Sequence, residues 1–230
     1  MAGDLRYPHD LARKFVFRRG IIVALVGIAV GGVQADPTQV IVIPDTHLRA
    51  CLNEKLGSSR PADADITATE ASSITQLSCA AWGIEDLTGI EQLTVLARLE
   101  LPGNAIADLS PLANMATLEE AVLDGNAVAD ISALRPLVER PIPLVFSALD
   151  QHVALGDVPV EVAIPSPLWD VHGLPIVPDT LENAAYHPDN ATLTAASLGI
   201  GGGSWDTEHF SGSFTFTGAQ PTRIISDALP

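Results

Sequence analysis

Asp63-Ala64-Asp65 opens as a calcium loop opens, with two carboxylates one residue apart that could share a hard cation. Such a loop then needs glycine at its sixth position and a bidentate acid at its twelfth. Ala68 and Ile74 stand there instead, so the stretch reads as a solvated acidic turn. Gly199-Ile200-Gly201-Gly202-Gly203-Ser204-Trp205 is rich in glycine, but no lysine follows to reach a phosphate and its surroundings read as strand. His47, His152, His172, His187 and His209 are scattered without the paired spacing of metal ligands or of an acid–base pair, and His9 falls in the leader. Asn190-Ala191-Thr192 is a glycosylation sequon whose meaning depends on the cell that makes the chain. These residues predict no catalytic group, no metal site and no cofactor.

Charge narrows the partners. Of 230 residues, 12 are basic and 28 acidic, a net −16. Residues 1–35 hold a basic start (Arg13, Lys14, Arg18, Arg19), an apolar run from Ile21 to Val33, and Val33-Gln34-Ala35 before Asp36. That is the pattern of a secretory signal peptide cleaved after Ala35; an uncleaved anchor is the alternative, although the run is shorter than a spanning helix needs. Without the leader, 7 basic and 26 acidic residues remain, a net −19. Nucleic acid and membrane insertion of the mature chain are therefore not expected. The expected location is secreted or extracellular. Retention at the cell surface is possible, although Arg223 to Pro230 carry no sorting motif or apolar tail.

Export also bears on Cys51 and Cys79, the two cysteines of the chain. In an oxidising compartment they are expected to pair, two buried free thiols being the alternative. A bridge over that spacing would restrict the unfolded chain by about 3–4 kcal/mol through loop-closure entropy.

The residues that must position everything else repeat. Copies begin at Ile74, Leu96 and Leu118, 22 residues apart, and seven positions are apolar in all three. They include Leu77/Leu99/Ala121, Cys79/Leu101/Leu123 and Ile84/Ile106/Val128. Within a copy, Leu99 and Leu101 alternate with Arg98 and Glu100 as in a short strand with one buried face. Asn104 and Asn126 then mark a turn, where an inward amide can bond the backbone. Ser110-Pro111 reads as a cap and first residue of a short helical turn. Trp82 takes the place of the turn asparagine in the first copy, either as an adaptation of the end or as a binding residue.

Before the copies, Asp45 is placed to cap a helix "THLRACLNEKL" ended by Gly57, and Thr67 to Glu70 form a capping box for a second helix. After Leu137 the register fails at Arg140, Pro141 and Pro143. Alternating runs such as "VPVEVAI" and "SGSFTFTG", broken by proline and glycine, then predict a small β-sandwich.

The repeat resembles leucine-rich repeats, specifically the 22-residue type of the bacterial internalins, and the preceding helices are similar to the internalin N-terminal cap. "PSPLWDVHGLPIVPDTLENAAYHPDNATLT" with "WDTEHFSGSFTFTG" resembles the immunoglobulin-like domain that follows those repeats. The resemblance implies a short leucine-rich-repeat solenoid with an N-terminal helical cap, followed by an all-β immunoglobulin-like sandwich. The expected division is 1–35 signal peptide, 36–73 cap, 74–145 repeats, 146–225 sandwich and 226–230 tail, with Cys51–Cys79 joining cap to first coil.

The family's concave face grips proteins, and the corresponding outward positions here are Gln76, Ser78, Arg98, Glu100, Glu120, Val122 and Asp124. They hold one basic residue and no aromatic, a sparse set for a protein-binding hot spot. The expected function is a non-catalytic, secreted or surface protein-binding or adhesion module of internalin type, with a protein or cell-surface ligand as partner. The alternative is a structural spacer or accessory domain of the bacterial cell envelope.

Overall fold

The computed structural model describes residues 38–221; the leader with its cleavage position and the tail 226–230 lie outside them. At the start, β1 (Val40–Ile41) pairs antiparallel with β2 (Ile66–Thr67), and α1 (Thr46–Leu56) lies between them. α1 begins where it does because the Asp45 carboxylate accepts the backbone N–H of His47 and of Leu48, each at 2.8 Å. It buries Leu48, Cys51 and Leu52, and Gly57 ends it. α2 (Ala68–Ala71) is a single turn, with the Thr67–Glu70 capping box formed in both directions.

Side-chain hydrogen bonds span the acidic turn between these helices. The Asn53 amide donates to the carbonyls of Ala62 and Ala64, both at 3.0 Å. Arg60 donates to Asn53, to the Asp65 carbonyl and to both oxygens of Glu70. These bonds to Thr67 and Arg60 hold the Glu70 carboxyl below its ordinary value.

β3 (Gln76–Ser78), β4 (Arg98–Glu100) and β5 (Glu120–Val122) stack in parallel, Leu77 opposite Leu99 and Leu99 opposite Ala121. Each three-residue strand turns one apolar side chain inward between two outward polar or half-buried ones. All seven apolar positions of the three copies are buried, from Ile74, Leu96 and Leu118 to Leu93, Met115 and Leu137. The return paths contain 3-10 turns at Ile90–Gln92, Ser110–Leu112 and Ser132–Leu134. Ser110 is not their cap: it is the first residue of its turn, and the Asp108 carboxylate accepts both its N–H and its hydroxyl. Asp86 and Asp130 likewise accept the N–H of Thr88 and Ser132. A short acceptor two residues upstream suits so tight a turn.

After α3 (Arg135–Val138), β6 (Val145–Pro159) pairs in parallel with β5 through Val145 to Ser147. Its remaining length pairs in parallel with β12 (Phe210–Ala219). β7 (Ala163–Pro165), β9 (Ala184–His187) and β10 (Thr192–Ala195) form a separate antiparallel sheet in the order β7-β10-β9. β8 (Thr180–Glu182) and β11 (Gly199–Asp206) complete a seven-stranded sheet ordered β3-β4-β5-β6-β12-β11-β8. Gly201 to Gly203 belong to β11, where a Cβ on Gly201 or Gly203 would strike the ring of Phe216 or Phe214.

The expected fold class is therefore corrected. The molecule is mostly strand with few helices, in sheets of mixed topology. Residues before β3 are not a helical cap: they hold one three-turn helix, one helical turn and a two-stranded sheet. No immunoglobulin-like sandwich is appended to a finished solenoid, because β6 carries hydrogen bonding from the parallel stack straight into β12 and one apolar core runs from Ile41 to Phe216. The physical reason is an unfinished stack. β5 would otherwise present a row of unpaired backbone groups, and β6 covers it.

Inside the stack a ladder of side-chain amides serves the turns. Asn104 accepts the N–H of Trp82 and Ile84 and donates to the carbonyls of Cys79 and Leu101. Asn126 accepts from Ile106 and donates to Leu101 and Leu123. Gln151, fully buried on β6, takes the next rung: it accepts from Val128 at 2.9 Å and donates to Leu123 and Leu149. Replacing Gln151 by Ala strands these three backbone groups, and urea unfolding should show a loss of about 2–3 kcal/mol. Replacing exposed Gln76 should change stability by less than about 0.5 kcal/mol.

A second consequence is acid sensitivity. Burial works to raise the Asp45 pKa, but N–H groups of Leu48, Glu85, Asp86 and His47 outweigh it and hold the carboxyl below 3.8. A carboxyl depressed in the folded state contributes stability above its unfolded pKa and loses it as pH falls through the folded value. The stability gap between the native chain and Asp45→Ala should therefore be about 1–2 kcal/mol near neutrality and narrow below about pH 4, measured by thermal unfolding across pH. A gap independent of pH would contradict this.

Candidate binding face

Parallel register lines up the outward side chains in rows. Gln76, Arg98, Glu120 and Val145 form one row across β3 to β6; Ser78, Glu100, Val122 and Ser147 form the next. Gln76, Ser78, Arg98 and Glu100 are exposed, while Glu120 and Val122 are half-buried. Arg98 Nε lies 3.4 Å from Glu120 Oε2, and both side chains remain about half exposed. A pair so open to water contributes little to stability. Both groups stay available to another surface.

Sequence reasoning missed Val145 and Ser147. The step from Glu120 to Val145 is 25 residues, not 22, and Pro141 and Pro143 hide the register. The signal that could have found them is the apolar run Leu144 to Leu149 that resumes just after the prolines. Val145 is 69% exposed, an apolar group offered to solvent on a sheet face. Between Val145 and Ser147, Phe146 is in register with buried Ala121, turns to the core side and meets the ring of His209 at 5.7 Å.

Asp124, expected as a face residue, is engaged within the fold. Its Oδ1 accepts the Ser147 hydroxyl at 2.6 Å and the Leu149 N–H at 2.9 Å, binding β5 to β6. Arg140 is similarly occupied. It donates to the carbonyls of Ala116, Leu118 and Ile142, as the Thr117 hydroxyl donates to Thr94 and Leu96 one step earlier.

Cys51 and Cys79 are joined in a disulfide, Cα–Cα 6.1 Å, which ties α1 to the residue after β3. The histidines lie on separate elements: His152 Nδ1 is 3.5 Å from Ser213 Oγ, His187 Nε2 is 3.2 Å from Thr194 Oγ1, and His172 Nδ1 is 3.6 Å from Glu139. Among the described residues no group of three or more histidine, cysteine or acidic side chains is placed to hold a metal ion, and no helix is long and apolar enough to cross a membrane.

No protein-family model matches the chain, and no curated protein matches it. Among solved structures, the functional domain of InlJ from Listeria monocytogenes, which includes a cysteine ladder, gives a TM-score of 0.52 at 18% identity over 67% of this chain and 36% of that one. The CBM51-2 and INT domains of ZmpB from Clostridium perfringens give 0.47 at 22% identity over 80% and 38%. Internalin C2 from Listeria monocytogenes gives 0.44 at 24% identity over 51% of each chain. The structural neighbours thus include internalin-family leucine-rich-repeat proteins of Listeria at low sequence identity. What the InlJ likeness shows is the fold, and it fits only in part. This chain spans between about a third and a half of the length of these solved chains.

The division of labour on the face is measurable. Asp124→Ala should lower unfolding stability by about 1–2 kcal/mol, because the Leu149 N–H and Ser147 hydroxyl lose their acceptor. Glu100→Ala should shift it by less than about 0.5 kcal/mol, and an Arg98/Glu120 double-mutant cycle should give a coupling below about 1 kcal/mol.

Proposed function

We propose that the chain is a non-catalytic binding or adhesion module of an exported protein, and that it engages a protein or cell-surface ligand with the outward face of β3 to β6. The observation that carries this reading is the pair of solvent-facing rows ending in exposed Val145. They put an apolar group beside opposed charges, and apart from Ser147 the fold makes little use of their polar groups. Supporting it are the exported pattern of the leader and the acidity of the chain beyond residue 35. The internalin-like neighbours and the lack of a membrane-crossing helix among the described residues fit an extracellular location. A four-strand face is small, so modest affinity is expected unless neighbouring surface joins it.

One observation favours a second reading, a spacer of the cell envelope. The continuous seven-stranded sheet over a single core is a stiff strut regardless of what its face does.

The test is adherence of beads bearing the full exported chain to cell surfaces and surface-protein extracts, comparing native protein with Arg98→Glu and Val145→Asp. A drop of about tenfold or more in either variant, with unfolding unchanged, supports the face as the binding surface. Equal adherence of all three would favour the spacer.

A further inference from the structure

At the end of the stack where β3 lies, Trp82 stands where the next two copies place Asn104 and Asn126. No earlier coil precedes it whose turn needs an amide. The N–H groups of Glu85 and Asp86, further along the same segment, are instead met by Asp45 Oδ2 at 2.9 and 3.0 Å. The position thus needs no amide; its indole packs partly against the core and keeps part of its surface open.

The half-buried indole lines two depressions. One, of about 320 Å³, is lined by Cys51, Glu54, Lys55, Ser78 and Trp82. The other, of about 230 Å³, also meets Glu54 and Trp82 and adds Ser58, Arg60, Ala50 and Ala62. Around this ring the polar groups are unused. The carboxylate of Glu54, the ammonium of Lys55, the hydroxyls of Ser58 and Ser78 and the indole N–H make no hydrogen bond or ion pair among the described residues. Most other cations are committed: Arg60 to Glu70, Arg98 to Glu120, Arg135 to Glu139 and Arg140 to backbone carbonyls. Lys55 is the one exposed cation left without a partner among the described residues. The Cys51–Cys79 bridge ties α1 to the residue after Ser78, which holds the backbone of the two walls together.

We propose that Trp82, with Glu54, Lys55, Ser58 and Ser78, forms a binding site for neutral sugar rings of an oligosaccharide. The electron-rich indole face suits the C–H face of a pyranose. Carboxylate, ammonium and hydroxyls supply acceptors and donors for its ring hydroxyls, which apolar walls would not. The strong net negative charge disfavours an acidic glycan, and Glu54 beside Lys55 leaves the lining with no net local charge to select a charged ligand. The site lies off the strand face apart from Ser78 and does not depend on the function proposed for that face.

The experiment is titration of the full exported chain, disulfide intact, with cello-, malto-, chito- and mannotriose, followed by tryptophan fluorescence and calorimetry. Sialyllactose and a proline-rich peptide serve as comparison probes. At least one neutral trisaccharide should bind below about 10 mM and change the fluorescence. Trp82→Ala should weaken that binding at least about tenfold and Glu54→Gln or Lys55→Ala several-fold, while Trp82→Phe retains most of it. Trp82→Phe also guards against a loss caused by misfolding, since it keeps an aromatic in place. No response to any neutral trisaccharide, binding indifferent to Trp82→Ala, or preference for sialyllactose or the peptide would each overturn the proposal. Because Arg98 and Val145 are untouched here, failure at this site is separable from failure of the strand face.

Discussion

Each turn that carries the chain from one parallel strand to the next points N–H and C=O groups into an interior that water does not reach, and each of those groups needs a partner. Asn104, Asn126 and Gln151 are those partners. A single amide side chain can donate and accept at once, so one inward residue per turn joins two neighbouring coils. Both ends of the stack follow from this requirement. At the β3 end the Asp45 carboxylate takes four backbone N–H groups, two from α1 and two from the first coil. Toward β6, Arg140 reaches carbonyls as Thr117 does a coil earlier.

The same requirement explains why the second half is not an appended module. The third coil's turn has its donor Val128 answered only by Gln151, and β5 has its outer edge answered only by β6. β6 must therefore begin within the stack and end within the other sheet. It accommodates both through Asp150, whose φ of 54° accompanies the shift of pairing with β12 between Ala148 and Gln151. Aspartate tolerates that left-handed conformation better than most residues. Further on, Gly201 and Gly203 let β11 lie against Phe214 and Phe216, placing aromatic volume where the stack has leucine.

Function is read from what these internal demands leave over. Asp124, Arg140, Asp86, Asp108 and Asp130 look like surface polar groups in the sequence, yet each is bonded to nearby backbone. Uncommitted groups include those of the rows that carry Val145 and those around Trp82.

Periodicity in the sequence was enough to identify the buried positions from Ile74 to Leu137, the inward asparagines, the cap at Asp45 and the capping box at Thr67, because these depend on neighbours within one turn or one repeat. The cysteines were legible as a pair through their number and setting. The outward positions Gln76 to Glu120 followed from strand alternation. What only the tertiary structure decided was everything carried by an irregular step: Gln151 as a rung, Val145 and Ser147 as part of the face, Asp124 as a tie, and the continuous sheet in place of a capped solenoid with a separate sandwich. A 25-residue step through two prolines leaves no periodic signal, and a side chain's partner across 25 residues is settled by where the backbone brings them together in space.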